Sequence, residues 1–163
     1  MQKALLFAVL SLAIVGCGQQ QHQASTTAGA STAPTTAATM PDNWHDAFRG
    51  KTLAESFPTV VASCRGNLET VEHTASGSHV LGWGFNSANS DGYAYILTTD
   101  ANNVVNGYAS TNAQRPDVGQ TIPTVTSAHI GFDAWSTQRA GQITAWGVDA
   151  ATHSACRLGS IAL

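Results

Sequence analysis

From Thr59 onward the chain alternates apolar and polar residues in short runs rich in Val, Ile, Thr, Tyr and Trp, punctuated by Gly, Asn, Asp and Ser. A period of two predicts strands, because successive side chains of a strand point to opposite faces. The runs lie at 59–65, 67–73, 80–85, 94–99, 104–110, 128–133, 142–149 and 155–162. Their spacing predicts an all-β domain, arranged as an antiparallel sandwich. In the third run Leu81, Trp83 and Phe85 share one face and Gly82 and Gly84 the other, so the three large side chains are expected to face the core. Asp100-Ala101-Asn102-Asn103 reads as a hairpin turn, since Asp and Asn tolerate left-handed backbone angles. Helical spacing is confined to residues 43–55, with Asp42 as its cap and Trp44, Ala47, Phe48 and the Lys51 stem on the inner side. Trp135 and Trp146 fall on the opposite parity from Phe132 and Ile143, which predicts that both indoles are exposed.

The N-terminus follows another pattern. Met-Gln-Lys precedes an apolar run from Ala4 to Val15, broken only by Ser11, and then Gly16-Cys17, the order of a secretory signal peptide. This run falls short of the ~20 residues that span a bilayer. Its end, Ile14-Val15-Gly16-Cys17, resembles the bacterial lipobox. The resemblance implies cleavage after Gly16 and acyl chains such as palmitate on Cys17. Gly18 in the next position, in place of aspartate, further implies an anchor in the outer membrane, on its periplasmic or cell-surface side. From Gly18 to Met40 there is no charge and no hydrophobic period, the composition of a disordered tether. The expected organisation is a signal at 1–16, a lipidated linker at 17–42 and a folded domain at 43–163. Beyond Cys17 only Cys64 and Cys156 remain, and an oxidising compartment predicts a disulfide between them.

Several short motifs stand in order along the domain: Gly82-Trp83-Gly84-Phe85, Ile96-Leu97, Arg115-Pro116-Asp117-Val118, Gly131-Phe132, Gly141 and the late Cys156. Together they resemble a bacterial immunoglobulin-like β-sandwich module that accompanies envelope proteins and membrane glycosyltransferases. The likeness covers residues 67–163, and the family usually carries Ala where this chain has Gly84. It implies a fold and supplies no catalytic residue. Arg115 and Asp117 either tie a long connection to the sheet by side-chain to backbone bonds or present a ligand-facing pair. The five-donor guanidinium, suited to gathering carbonyls, favours the structural-loop role.

Charge narrows the functional classes. Only 10% of residues are charged, the net charge is -3, and the seven Lys and Arg are scattered singly, so no basic stripe serves nucleic acid. The six histidines form no His-X-His pair, and Asn86–Gly92 lacks the first carboxylate and closing glutamate of a calcium loop, so no metal is expected. No Gly-X-Ser-X-Gly elbow exists, and Arg49-Gly50-Lys51-Thr52 lacks the first glycine of a phosphate loop. No catalytic residue and no cofactor are therefore expected. Binding residues remain: Trp135, Trp146, Tyr93 and Tyr95 offer stacking faces for a glycan or anchors for an envelope protein. The expectation is a membrane-anchored, non-catalytic binding or structural module. Its alternatives are a carbohydrate-binding module of the envelope and a hydrolase whose site is assembled in three dimensions, for instance from Asp91 and Asp133.

Overall fold

The computed structural model describes residues 47–163. The signal, Cys17, the tether, Asp42 and Trp44 lie outside the described residues. Eight strands follow in chain order: β1 (Thr59–Val61), β2 (Cys64–Thr74), β3 (Gly77–Asn86), β4 (Tyr95–Thr99), β5 (Val105–Ala113), β6 (Gly131–Ser136), β7 (Gln142–Asp149) and β8 (Ser154–Ala162). Two short helices, α1 (Leu53–Ser56) and α2 (Pro116–Thr121), accompany them. The domain is all-β, as the alternation predicts. One hydrogen-bonded sheet holds all eight strands in the order β1-β8-β7-β4-β5-β6-β3-β2. Every pairing is antiparallel except that of β1 with β8. The turn at 100–103 forms as expected: Asp100 Oδ1 accepts from the Asn102 and Val104 amides, and Asn103 takes φ +60.

The sheet curls so that its inward side chains fill one core. Leu68, Val80, Ile96, Ala109, Phe132, Ala134, Ile143, Ala145 and Leu158, drawn from seven strands, are all buried there. Curling brings β2 and β3 against β8, and glycine makes the approach possible. A Cβ on Gly66 or on Gly84 would collide with the Leu158 side chain. Beside this contact the Cys64–Cys156 disulfide joins β2 to β8, with 6.2 Å between the Cα atoms. The staple predicted from cysteine count and compartment is present. Another part of the interior is polar and fully connected. Asn106 Nδ2 donates to Gln138 Oε1 (2.6 Å), its Oδ1 accepts from Thr98 Oγ1 (2.8 Å) and Ser136 Oγ (2.9 Å), and Ser78 Oγ donates to the Gln138 carbonyl (2.7 Å). Because each member has a partner, this network avoids the cost of an orphaned buried polar group.

The face assignment of β3 is the reverse of the expectation. Val80 points inward along with Gly82, which lies against the Phe132 ring, and Gly84, while Leu81 and Trp83 are half-buried on the outer side. A curled sheet has a narrow interior, and Phe132 and Leu158 already occupy the space that larger residues at 82 and 84 would need. Phe85 is buried on the outer side, with Val118 of α2 and with Val125 and Ile130 of the connection from α2 to β6. The connection that carries Arg115 and Asp117 forms the short helix α2, for which Pro116 at its first position and Asp117 in its first turn are helix-start signals. The helix expected over 43–55 is also broken: Ala47 and Phe48 are helical, a turn follows at Arg49 and Gly50 (φ +77), and α1 starts afresh. At that start the Thr52 amide donates to Glu55 Oε2 (2.6 Å), as in a capping box. Leu53 and Phe57 then cover Leu97, Val105, Trp146, Val148 and Ala155 on the outer face of the sheet.

Candidate functional site

Strand register sets one row of outward side chains across the sheet. Glu72 pairs with His79, His79 with Trp135, Trp135 with Tyr108, Tyr108 with Leu97, Leu97 with Trp146, and Trp146 with Arg157. The middle of this row, at Leu97 and Trp146, is roofed by Leu53 and Phe57. On the β3, β6 and β5 side the row stays open: Trp135 is 54% exposed and Tyr108 36%. Among the described residues Trp135, Tyr108 and Val60 on β1 are the exposed large hydrophobics, and two of the three stand side by side here.

Trp135 is held from one side. The His79 ring stacks on its indole, with centroids 4.5 Å apart and planes 22° from parallel. His79 is itself only 15% exposed and lies between two carboxylates. Its Nε2 is bonded to Asp133 on β6 and its Nδ1 faces Glu72 on β2 at 3.4 Å. Burial pulls the imidazole pKa down, but the hydrogen bonds to Asp133 and Glu72 outweigh it and leave it above the ordinary 6.5. The two carboxylates grip opposite nitrogens of one ring, so they do not converge on a common point. Among the described residues no group of three His, Cys, Asp or Glu could hold a metal ion.

Of the four aromatic residues expected to bind, the structure brings only Trp135 to an open surface. Trp146 is 8% exposed, and its Nε1 donates to Thr99 Oγ1 at 3.0 Å, so the expectation of exposure is corrected. Its parity placed it on the outer face, but α1 covers that face. Tyr93 is likewise buried, packed on Gly147 where any Cβ would strike its ring, and its hydroxyl has no hydrogen-bond partner among the described residues. Burial, with Asp149 nearby, raises the Tyr93 pKa. Tyr95 is half-buried against the cluster beneath α1.

Arg115 and Asp117 do tie the α2 connection to the sheet, but through carboxylates where backbone carbonyls were expected. The guanidinium forms a fork on Glu69 (2.7 and 3.0 Å) and a second on Asp117 (2.9 and 2.6 Å). Glu69 sits at the register shift between Leu68 and Thr70, and such a bulge re-aims the extra side chain. The pairing raises the Arg115 pKa, through Asp117 first and Glu69 second, and lowers that of Asp117 to about 2. With its donors committed to these two carboxylates, Arg115 offers little to an anionic ligand in the adjoining cavity of about 280 Å3.

Sequence reasoning missed His79, Glu72 and Asp133 as parts of the open face. His79 and Asp133 are 54 positions apart, and only the β3–β6 register joins them. The parity that singled out Trp135 would have placed Asp133 beside it on the same face, and this was the one signal to be had. Compared with known proteins, the chain matches no family model, no curated protein and no solved structure.

Proposed function

We propose that this chain is an exported lipoprotein, anchored through Cys17 to the outer membrane, whose β-domain is a non-catalytic binding module of the cell envelope that takes carbohydrate on the open face of β3, β6 and β5. The observation that carries the reading is Trp135. It stands exposed next to its cross-strand partner Tyr108, and a flat aromatic ring is the surface on which the C–H face of a sugar stacks. Asp133, two residues before it on β6, and Glu72, beyond His79 on β2, are 52% and 65% exposed and offer acceptors for sugar hydroxyls. A protein partner of the envelope is the second reading, favoured by the pairing of Trp135 with Tyr108, since tryptophan and tyrosine are common interface anchors.

The immunoglobulin-like description belongs to the same proposal. It is supported by the motif order and by the way β2 and β3 face β8 across Leu158. A single continuous sheet departs from the two separate sheets of that architecture, so the form we propose is a sandwich whose layers remain joined along β4 and β5.

Two experiments test the parts separately. Cys17→Ala should release the exported protein from membranes, and a variant that still sediments with them and still incorporates palmitate would end the anchor reading. Trp135→Ala should abolish retention on purified cell-wall sacculi and on a glycan array while the protein stays folded. Unchanged retention would remove the carbohydrate reading, and retention by an envelope protein alone would favour the second.

A further inference from the structure

A carboxylate only accepts hydrogen bonds, whereas a neutral imidazole has one N–H and one lone pair. Both ring nitrogens of His79 face carboxylates, Nε2 that of Asp133 and Nδ1 that of Glu72. Only the imidazolium donates to both. A neutral ring would set a lone pair against one carboxylate, and that contact would open. The same ring lies flat on the Trp135 indole, where a cation is attracted to the aromatic face and a neutral ring less so. β3 is flanked by β2 and β6, and the charged groups facing His79 from them are Glu72 and Asp133. The remaining side of the row is the open face.

We propose that His79 is a positioning residue for Trp135: protonated, it clasps Glu72 and Asp133 across three strands and fixes the indole upright, and on losing its proton it lets one carboxylate and the indole go. The consequence for binding rests on the reading of Trp135 as a sugar platform. A platform fixed in advance lowers the entropy cost of binding, so an uncharged saccharide should bind more weakly as pH rises through the His79 transition. Deprotonation also takes the trio from a net charge of about -1 to about -2, a change with little leverage on a neutral sugar. A cationic ligand would gain from it, so the direction of the pH effect separates the two ligand classes.

The test needs no ligand. In the exported protein labelled with 5-fluorotryptophan, the fluorine resonance of Trp135, identified by its loss in Trp135→Phe, should shift between pH 5 and 8. Its midpoint should match that of the His79 ring protons and lie above 6.5. His79→Gln should flatten the Trp135 titration, and Asp133→Asn, which keeps the ring but removes one carboxylate, should move the midpoint down. A Trp135 resonance that does not move with pH, a His79 midpoint at or below 6.5, or no change of midpoint in Asp133→Asn would each overturn the proposal. Failure on sacculi would count against the sugar reading and leave this titration standing. A flat titration would remove the clasp and leave Trp135 free to bind.

Discussion

Trp135 and Trp146 occupy the same outward row of the same sheet, separated by Tyr108 and Leu97, yet one is 54% exposed and the other 8%. Strand alternation treats them alike. The difference comes from elsewhere in the chain: Leu53 and Phe57 lie over Trp146 and Leu97, whereas nothing among the described residues roofs Trp135 in the same way. The covered indole finds a hydroxyl for its N–H, as a buried tryptophan must, and the open one is braced by a histidine and two carboxylates. Parity is a local property that says which side of a strand a residue takes. Cover is a tertiary property, and it decides whether that side belongs to a core or to a surface.

The contrast breaks most visibly under alanine. Trp146→Ala should cost about 3–5 kcal/mol, the range for deleting a large side chain from a packed core. Trp135→Ala should cost only about 0.5–1 kcal/mol, the scale of its exposed stacking contact with the His79 ring. Urea unfolding of both variants checks this, and comparable losses would mean that the open half of the row is as structural as the covered half.

The disulfide couples the two halves. Cys64 begins β2, at the end of the sheet next to the open face, and Cys156 lies in β8, beside the strand that α1 covers. Cys64→Ser should cost about 2–4 kcal/mol. The loss should also be uneven: amide exchange should accelerate in β2 and β3, while β4 and β7 under α1 keep their protection. Uniform acceleration would show that the staple serves the whole sheet and not its open edge.

Much of this was legible in the residues. The limits of β7, the turn at 100–103 and the cysteine pair follow from local alternation, turn chemistry and compartment. What failed needed information that is not local. Leu81 and Trp83 looked like core because they are large, but the volume inside the curl was already taken by Phe132 and Leu158 from distant strands. Asn106 and Gln138, which knit the polar interior, carry no signature as single residues. The Glu72, His79 and Asp133 trio exists only through strand register, which no spacing within one strand reveals.

The smallest effect compares the two covers of the outer face. α1 is held by apolar burial, while α2 adds to Val118 the fork from Arg115 to Glu69 and Asp117. Asp117 has its pKa lowered from 3.8 to about 2, by the Arg115 hydrogen bonds above all. A carboxyl depressed on folding contributes stability above its unfolded pKa, and the contribution drains away as pH falls through the folded one. The window is therefore pH 4 down to 2. Asp117 is exposed, so solvent screens the pair, and Glu69 still holds Arg115 when Asp117 is neutral. The Tm of Asp117→Asn should accordingly lie slightly below that of the parent at pH 6, and the gap should close by pH 2. Leu53→Ala, by contrast, thins the apolar cover of α1, and its Tm deficit should show no step in this window. A gap for Asp117→Asn that persists unchanged to pH 2, or is missing at pH 6, would mean that the charge of Asp117 adds nothing to the hold that Glu69 and the apolar contacts already have on α2.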